Sequence, residues 1–187
     1  CSSDLGIHFW AYLDSSAVNN QSILVESDGT NYGLRLYTNG SGQLVIELYD
    51  GAFNYIQAVT SVAVPQDAWA SIGISYLGTR VDSGFRIYFN RVLQGITRNT
   101  LGTYNYWEPQ GQLSMGEDPV SGGLSTSNLH RFDNIAFWTN RQLSATEIVA
   151  LGFTFDIEDI NTFSHPTLYS SLSSYLKVEN NLVGSGP

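Results

Sequence analysis

The 187-residue sequence predicts an all-β fold, a two-sheet antiparallel sandwich with one short helix. Segments of alternating apolar and polar residues recur along the chain, and Gly, Asn, Asp and Ser cluster between them about every 8 to 12 residues, as in β-sandwiches. Helix-like sequence occurs only near residues 145–151. A parallel α/β fold would need helical segments between successive strands, so the pattern favours the sandwich.

The predicted strands begin at residues 5–13, where apolar side chains occupy both faces, and continue in 22–27. Residues 32–37 and 43–51 flank Asn39-Gly40-Ser41-Gly42, which predicts a hairpin. A strand at 56–64 ends at Pro65, because proline cannot continue a central ladder.

A second hairpin is predicted from residues 69–78 and 85–95, which flank a turn at 81–84. Trp69 and Trp138 each lie in an alternating segment, so we expect both side chains to pack in the core. Replacing Trp69 by Ala would then cost roughly 3–5 kcal/mol.

Residues 101–110 place three aromatic rings between a Gly and a Pro, which predicts a loop. Strand character returns at 112–116 and at 130–138. Ser144 followed by Glu147 has the form of a capping box. It predicts a helix from Ala145 to Leu151.

Composition narrows the classes of function. The chain has 17 acidic and 8 basic residues, a net charge of −9, and its basic residues are dispersed, which disfavours binding to nucleic acid or anionic lipid. No segment approaches the ~18 apolar residues of a membrane span. Cys1 is the single cysteine, so an intrachain disulfide is excluded. Cys-Ser-Ser at the start resembles a lipidated lipoprotein, but a cut from a longer chain is favoured.

Two segments carry a family resemblance. Trp69–Tyr76 followed by Phe85–Asn90 is similar to a laminin-G-like pair of strands that ends in a Tyr-x-Asn-Gly corner. Arg91 stands where the pattern has Gly, which suggests a modified corner. Phe132–Trp138, continued through Asn140–Ile148, resembles the family's closing strand, turn and capped helix. The resemblance implies a jelly-roll sandwich of the laminin-G-like, concanavalin A-like superfamily.

The resemblance covers residues 5–153 and leaves 154–187 as a C-terminal extension of a single predicted domain, 1–187. Within it, 172–185 is similar to the family's opening strand, whereas 5–13 resembles its second or third strand. Either the domain is circularly permuted, with Tyr175–Val183 completing the sandwich, or the chain spans parts of two tandem modules. Such modules resemble those of phage tails, fibres and decoration proteins and of bacterial surface proteins. We therefore expect an extracellular, virion or cell-surface location, within a larger polypeptide or a homo-oligomer.

The superfamily that the chain resembles includes glucanases, which are catalytic. Their active strand resembles Glu-x-Asp-x-x-Glu, which supplies an acid and a nucleophile. The nearest string here, 155–161, lacks the second Glu, so we expect no enzyme activity. His8, His130 and His165 are dispersed and are expected to be structural histidines.

Binding has more support in the sequence. Loop aromatics beside polar groups can offer flat faces and hydrogen bonds to a sugar ring. Calcium, the one metal considered, would use carboxylates next to Gly-rich turns. The candidate glycan ligands are Tyr104, Asn105, Tyr106, Trp107, Phe53 and Tyr55, and the candidate calcium ligands are Asp28, Glu117 and Asp118.

These features predict a non-catalytic surface module for carbohydrate recognition or adhesion. The alternative is a structural subunit whose aromatic loops bind other virion or surface subunits, because many loop aromatics pack against protein. A polysaccharide-cleaving enzyme is the least favoured hypothesis.

Overall fold

The protein folds into two six-stranded antiparallel sheets that enclose one main core. The computed structural model describes residues 4–16, 20–51, 53–109, 111–116, 118–120 and 130–153, and the backbone of 174–176. The first sheet has the order β12-β11-β1-β6-β7-β8, with β1 Leu5–Tyr12, β6 Trp69–Tyr76, β7 Phe85–Phe89, β8 Val92–Leu93, β11 Arg131–Thr139 and β12 Ser174–Leu176. The second has the order β10-β2-β3-β4-β5-β9, with β2 Ser22–Ser27, β3 Tyr32–Thr38, β4 Gln43–Tyr49, β5 Tyr55–Ala63, β9 Ile96–Leu101 and β10 Gln112–Met115. The predicted all-β sandwich is confirmed.

The core lies between the sheets and follows from the period-2 alternation of the strands. Leu34 and Leu36 of β3 pair with Leu48 and Ile46 of β4, and all four side chains are buried on the inner face. The hairpin predicted around Asn39–Gly42 therefore has the expected register. β6 and β7 form the second predicted hairpin, connected through a single 3₁₀ turn at Asp82–Gly84.

Helix α1, Ala145–Leu151, packs on the outer face of the first sheet. Ser144 accepts a hydrogen bond from the Glu147 N–H while the Glu147 side chain accepts one from the Ser144 N–H, so the predicted capping box is confirmed. The helix approaches β6 closely because Gly73 has no side chain; a Cβ there would overlap Cγ2 of Ile148. Under the helix lies a second apolar cluster formed by Tyr88, Ala136, Trp138, Leu143, Ile148 and Leu151.

The core position predicted for Trp69 is wrong. In β6 the inward face carries Ile72 and Ile74, and Trp69 lies on the opposite face. Its half-buried ring contacts Tyr12 edge-on, with centroids 6.2 Å apart. Trp138 is fully buried, as predicted, but beneath α1.

The corner between β7 and β8 has a left-handed backbone although Arg91 stands where the family pattern has Gly. Asn90 and Arg91 both adopt left-handed backbone angles, with φ of 48° and 73°. Two consecutive positive-φ residues make a tight turn suited to a hairpin, so the modified corner expected from Arg91 is wrong. The Arg91 guanidinium lies 3.9 Å from the ring centroid of Phe153, a contact that offsets part of the backbone cost.

β12 pairs antiparallel with β11 at the edge of the first sheet, Ala136 opposite Tyr175. Residues 177–183 of the predicted opening-type strand lie outside the described residues, so the permuted-domain interpretation stays a prediction. Among the described helices, none has the length and apolar character needed to cross a membrane.

Candidate functional site

The predicted aromatic loop crosses one whole end of the second sheet. It leaves β9 at one edge and enters β10 at the other, and residues 102–109 have no regular secondary structure, as predicted. Three backbone N–H groups attach it to the sandwich. Asn105 donates to Oδ2 of Asp50 at 3.2 Å, Glu108 to the carbonyl of Tyr49 at 3.1 Å, and Gly111 to Oε1 of Glu26 at 2.7 Å.

The loop's aromatic side chains divide between the core and the surface. Tyr104 is buried in the main core, and Trp107 packs against it. Burial raises the pKa of Tyr104 far above its usual range. Tyr106 is 47% exposed. Of the three predicted platform rings, Tyr106 is therefore the one positioned to meet a ligand.

A small open cleft lies beside Tyr106. It has a volume of about 200 Å³ and is lined by Asp50, Gly51, Asn105, Tyr106 and Glu108. Asp50 links the turn before β5 to the aromatic loop, because it accepts hydrogen bonds from the backbone N–H groups of both Asn54 and Asn105. We call these five residues the Tyr106 cleft.

The other two predicted aromatic ligands lie nearby but differ in setting. Phe53 is 64% exposed in the turn before β5, with a left-handed φ of 65°. Tyr55 is the first residue of β5, so its assignment to a loop is wrong. Its half-buried ring packs against Tyr49 with centroids 5.1 Å apart. Neither ring lines the Tyr106 cleft.

A polar cluster that we did not predict lies on the outer face of the second sheet. Its centre is the buried carboxylate of Glu47. Oε1 accepts from Tyr37 Oη at 2.9 Å and Gln57 Nε2 at 2.7 Å; Oε2 accepts from Tyr49 Oη at 2.8 Å and Arg35 Nη1 at 3.3 Å. We call Arg35, Tyr37, Glu47, Tyr49 and Gln57 the Glu47 network.

Burial and charge in the Glu47 network favour the protonated forms of its titratable donors, Tyr37, Tyr49 and Arg35. Burial, and then the Glu47 charge, raise the pKa of Tyr37 and Tyr49 far above the usual range. For Arg35, burial is the largest single effect and acts to lower the pKa, but the Glu47 carboxylate together with Tyr49 and Tyr32 outweighs it, and the net pKa rises. The sequence signal that could have identified this network is strand alternation. Arg35, Tyr37, Glu47 and Tyr49 occupy the positions that alternate with the buried Leu and Ile residues of β3 and β4.

The described calcium candidates are already engaged by donors of the protein. Asp118 is buried and accepts from Tyr32 Oη at 2.8 Å and Arg35 Nη2 at 3.1 Å. Asp28 is exposed and accepts from the N–H groups of Thr30 and Asn31. Glu117 lies outside the described residues. Among those described, no group of three or more His, Cys, Asp or Glu side chains is arranged to hold a metal.

The described histidines have ordinary structural partners. His8 is buried beneath the α1 face, with Nε2 3.0 Å from Oγ of Ser71, and burial lowers its pKa to about 3. His130 Nδ1 accepts from the Asp14 N–H at 3.2 Å. His165 and the glucanase-like string 155–161 lie outside the described residues.

Several solved structures share this architecture at low sequence identity. A heptameric SAP-like pentraxin from Limulus polyphemus is 14% identical, with a TM-score of 0.56 over 81% of this chain and 70% of the pentraxin. The CBM40 of the Ruminococcus gnavus IT-sialidase, solved with alpha2,3 sialyllactose, is 17% identical, with a TM-score of 0.53 over 80% of this chain and 83% of that one. The binding domain of botulinum neurotoxin serotype D is 13% identical, with a TM-score of 0.53 over 80% of this chain and 35% of that one. At these identities the likeness establishes the fold.

Sequence comparison identifies the family. No curated protein matches the sequence. The family profile described as the concanavalin A-like lectin/glucanases superfamily matches residues 1–149, which include every described strand except β12. The two sheets, the capped helix and this match lead to one conclusion: the chain belongs to the concanavalin A-like lectin/glucanases superfamily.

Proposed function

We propose that this domain is a non-catalytic carbohydrate-recognition module that binds a saccharide at the Tyr106 cleft. The observation that carries the proposal is an exposed aromatic ring beside an amide and two carboxylates, on a loop fastened by hydrogen bonds. A sugar ring needs an apolar face to stack on and polar groups at its rim. Because the loop is fixed before binding, little ordering entropy opposes association.

Two further lines support a carbohydrate ligand. One similar fold carries sialyllactose in its solved structure, and another is described as a putative carbohydrate binding protein from Bacteroides ovatus. The chain spans 40% of the latter protein. We place the module outside the cell, in a bacterial surface protein or a phage virion, as part of a larger polypeptide or homo-oligomer.

The test is a glycan array probed with the domain and with two matched variants. Tyr106→Ala removes the exposed cleft ring. Phe153→Ala removes another exposed ring, one that contacts Arg91 on the first sheet. We expect Tyr106→Ala to abolish the signal and Phe153→Ala to preserve it. A Trp107 change is a poor probe, because that ring packs on the core.

The alternative function, a subunit of an assembly without a glycan ligand, also has an observation in its favour. Val92 and Leu93 form the edge strand β8, and both side chains are more than half exposed. Exposed apolar edges commonly mark association surfaces. Light scattering across a concentration series, combined with an array that shows no Tyr106-dependent signal, would favour assembly over recognition.

Enzyme activity is tested separately, because the Tyr106 cleft contains two carboxylates, Asp50 and Glu108. Glycoside hydrolysis uses such a pair. We expect no release of reducing ends from a polysaccharide panel. Release that disappears in Glu108→Gln would replace our proposal with a hydrolase.

Calcium binding at Asp28, Glu117 and Asp118 stays a prediction. The Asp118 carboxylate is already paired with Arg35, so we expect a bound calcium ion to depend chiefly on the other two residues, and its removal by EDTA to lower the melting temperature. A calcium-dependent rise in melting temperature would establish a metal site.

A further inference from the structure

The turn before β5 carries an exposed aromatic ring that lies outside the Tyr106 cleft. Phe53 is 64% exposed, and it is not part of the cleft lining. Its φ of 65° is left-handed, a backbone conformation that bulky side chains rarely adopt. Among the described residues, no ring or guanidinium stacks on Phe53. The position therefore combines backbone strain with an apolar ring in water, and burial in the core offsets neither cost.

Hydrogen bonds within the turn hold this conformation. The Asp50 N–H donates to the Asn54 carbonyl at 2.9 Å, and the Phe53 N–H donates to the Asp50 carbonyl at 3.2 Å. The Asp50 carboxylate accepts from the Asn54 N–H at 3.1 Å and from Asn54 Nδ2 at 3.2 Å. Strained residues persist where the surrounding structure over-determines them, and they cluster at ligand sites. The Phe53 ring is therefore carried on a well-fixed turn.

The same turn is joined to the aromatic loop. Oδ2 of Asp50 accepts the Asn105 N–H at 3.2 Å, and Tyr106 is the next residue in the loop. Gly102 packs directly on Asn54, because a Cβ at Gly102 would overlap Oδ1 of Asn54. The exposed ring of the turn and the exposed ring of the loop are thus mounted on one hydrogen-bonded unit.

The Tyr106 cleft is too small to enclose a long saccharide. Its volume of about 200 Å³ lies below the roughly 300–1,000 Å³ of pockets that bury a drug-sized ligand. A chain of several sugars that binds there must continue outside the cleft. Gly51 belongs both to the cleft lining and to the turn that carries Phe53, so the turn adjoins the cleft.

We propose that the site binds an oligosaccharide chain, with one sugar against Tyr106 in the cleft and a later sugar of the same chain against the Phe53 ring. Phe53 is then a specificity-determining residue that favours longer chains over single sugars. The inference rests on the proposed carbohydrate function and deepens it by naming the ligand's length. A chain that reaches both rings gains a second stacking contact without a second loss of translational freedom.

The experiment is the glycan array, printed to include oligomers of cellulose, chitin, xylan and laminarin that contain one to six sugars. Phe53→Asn deletes the ring, and Asn adopts a left-handed backbone more readily than Phe, so the melting temperature should not fall. We expect the parent's affinity to rise with chain length. Phe53→Asn should weaken binding of the longer chains by about tenfold and leave single sugars and disaccharides unchanged.

Two control variants isolate the Phe53 ring. Phe53→Tyr keeps an aromatic face at the same position, so we expect it to bind as the parent does. Phe153→Asn removes an exposed ring that contacts Arg91 on the first sheet, and it should also bind as the parent does. An equal loss in Phe53→Asn and Phe153→Asn would overturn the inference by assigning the effect to general surface hydrophobicity.

The remaining outcomes separate the two proposals. Unchanged binding of every array glycan by Phe53→Asn would overturn the inference and leave Tyr106-dependent recognition standing. The inference also fails if Phe53→Asn alters only self-association in light scattering, since the ring would then belong to a protein contact. An array that is silent for the parent defeats both proposals together.

Discussion

Two tryptophans give the strictest test of how this sandwich is packed. Trp138 is fully buried beneath α1, whereas Trp69 is half-buried on the outer face of β6 and touches Tyr12. Deleting a fully buried tryptophan to Ala costs about 3–5 kcal/mol. Deleting Trp69 removes one aromatic contact and part of a buried surface, for which we expect about 1–2 kcal/mol.

The assay is thermal unfolding of the two Ala variants, followed by circular dichroism so that the signal does not depend on tryptophan fluorescence. For a domain of this size 1 kcal/mol corresponds to roughly 2–4 °C in melting temperature. Trp138→Ala should therefore lower it by roughly 6–20 °C, and Trp69→Ala by roughly 2–8 °C. A loss from Trp69→Ala equal to or greater than that from Trp138→Ala would refute the assignment of faces in β6.

Three further predictions address buried groups. The pKa of His8 is lowered to about 3, so its contribution to stability is complete above about pH 6.5 and is lost as the pH falls towards 3. Relative to the His8→Gln variant, the parent should lose roughly 2 kcal/mol of unfolding free energy between pH ~7 and ~5, measured by urea unfolding. Parallel pH profiles of the two proteins would contradict this. Glu47→Gln places an NH₂ group among four donors and should cost about 2–4 kcal/mol, with thermal melting as the check and an unchanged melting temperature as the contrary result. Gly73→Ala overpacks α1 against β6 and should cost about 1–3 kcal/mol. Adding Ile148→Ala should then cost less than it does in the parent, and strict additivity would exclude the contact.

Local patterns predicted much of the fold because they depend on neighbours in sequence. The turn around Asn39–Gly42 and the Ser144/Glu147 capping box each require a few adjacent residues, and both were predicted at the right positions. Alternation in β6 correctly separated two faces. The core face is the one that carries Ile72 and Ile74, and the Trp69 prediction failed because its large ring was given more weight than the small and polar residues that share its face.

The sequence predicted which loop carries the candidate site, but it did not predict which side chains of that loop are exposed to a ligand. Tyr104 and Tyr106 are two residues apart in the same loop, yet one fills the end of the core and the other borders a cleft. Their difference depends on where the loop crosses the sheet, which hydrogen bonds to Asp50 and Tyr49 determine. Those partners lie more than fifty residues away in the chain.

The Glu47 network shows the same limit. Its residues come from three strands, and they meet because the registers of β3, β4 and β5 align Arg35, Glu47 and Gln57 in one row across the sheet. A local sequence pattern does not predict the register of two successive strand pairs, so it could not predict this row.

The sequence by itself determined the all-β class, the hairpins, the capped helix and the superfamily, since periodicity, turn chemistry and short motifs are local properties. Tertiary structure alone decided which aromatic rings are core and which are surface. It also decided which carboxylates lie beside Tyr106 and which pair with Arg35. The physical reason is that burial and charge pairing are relations between distant segments, and these exist only once the sheets have packed.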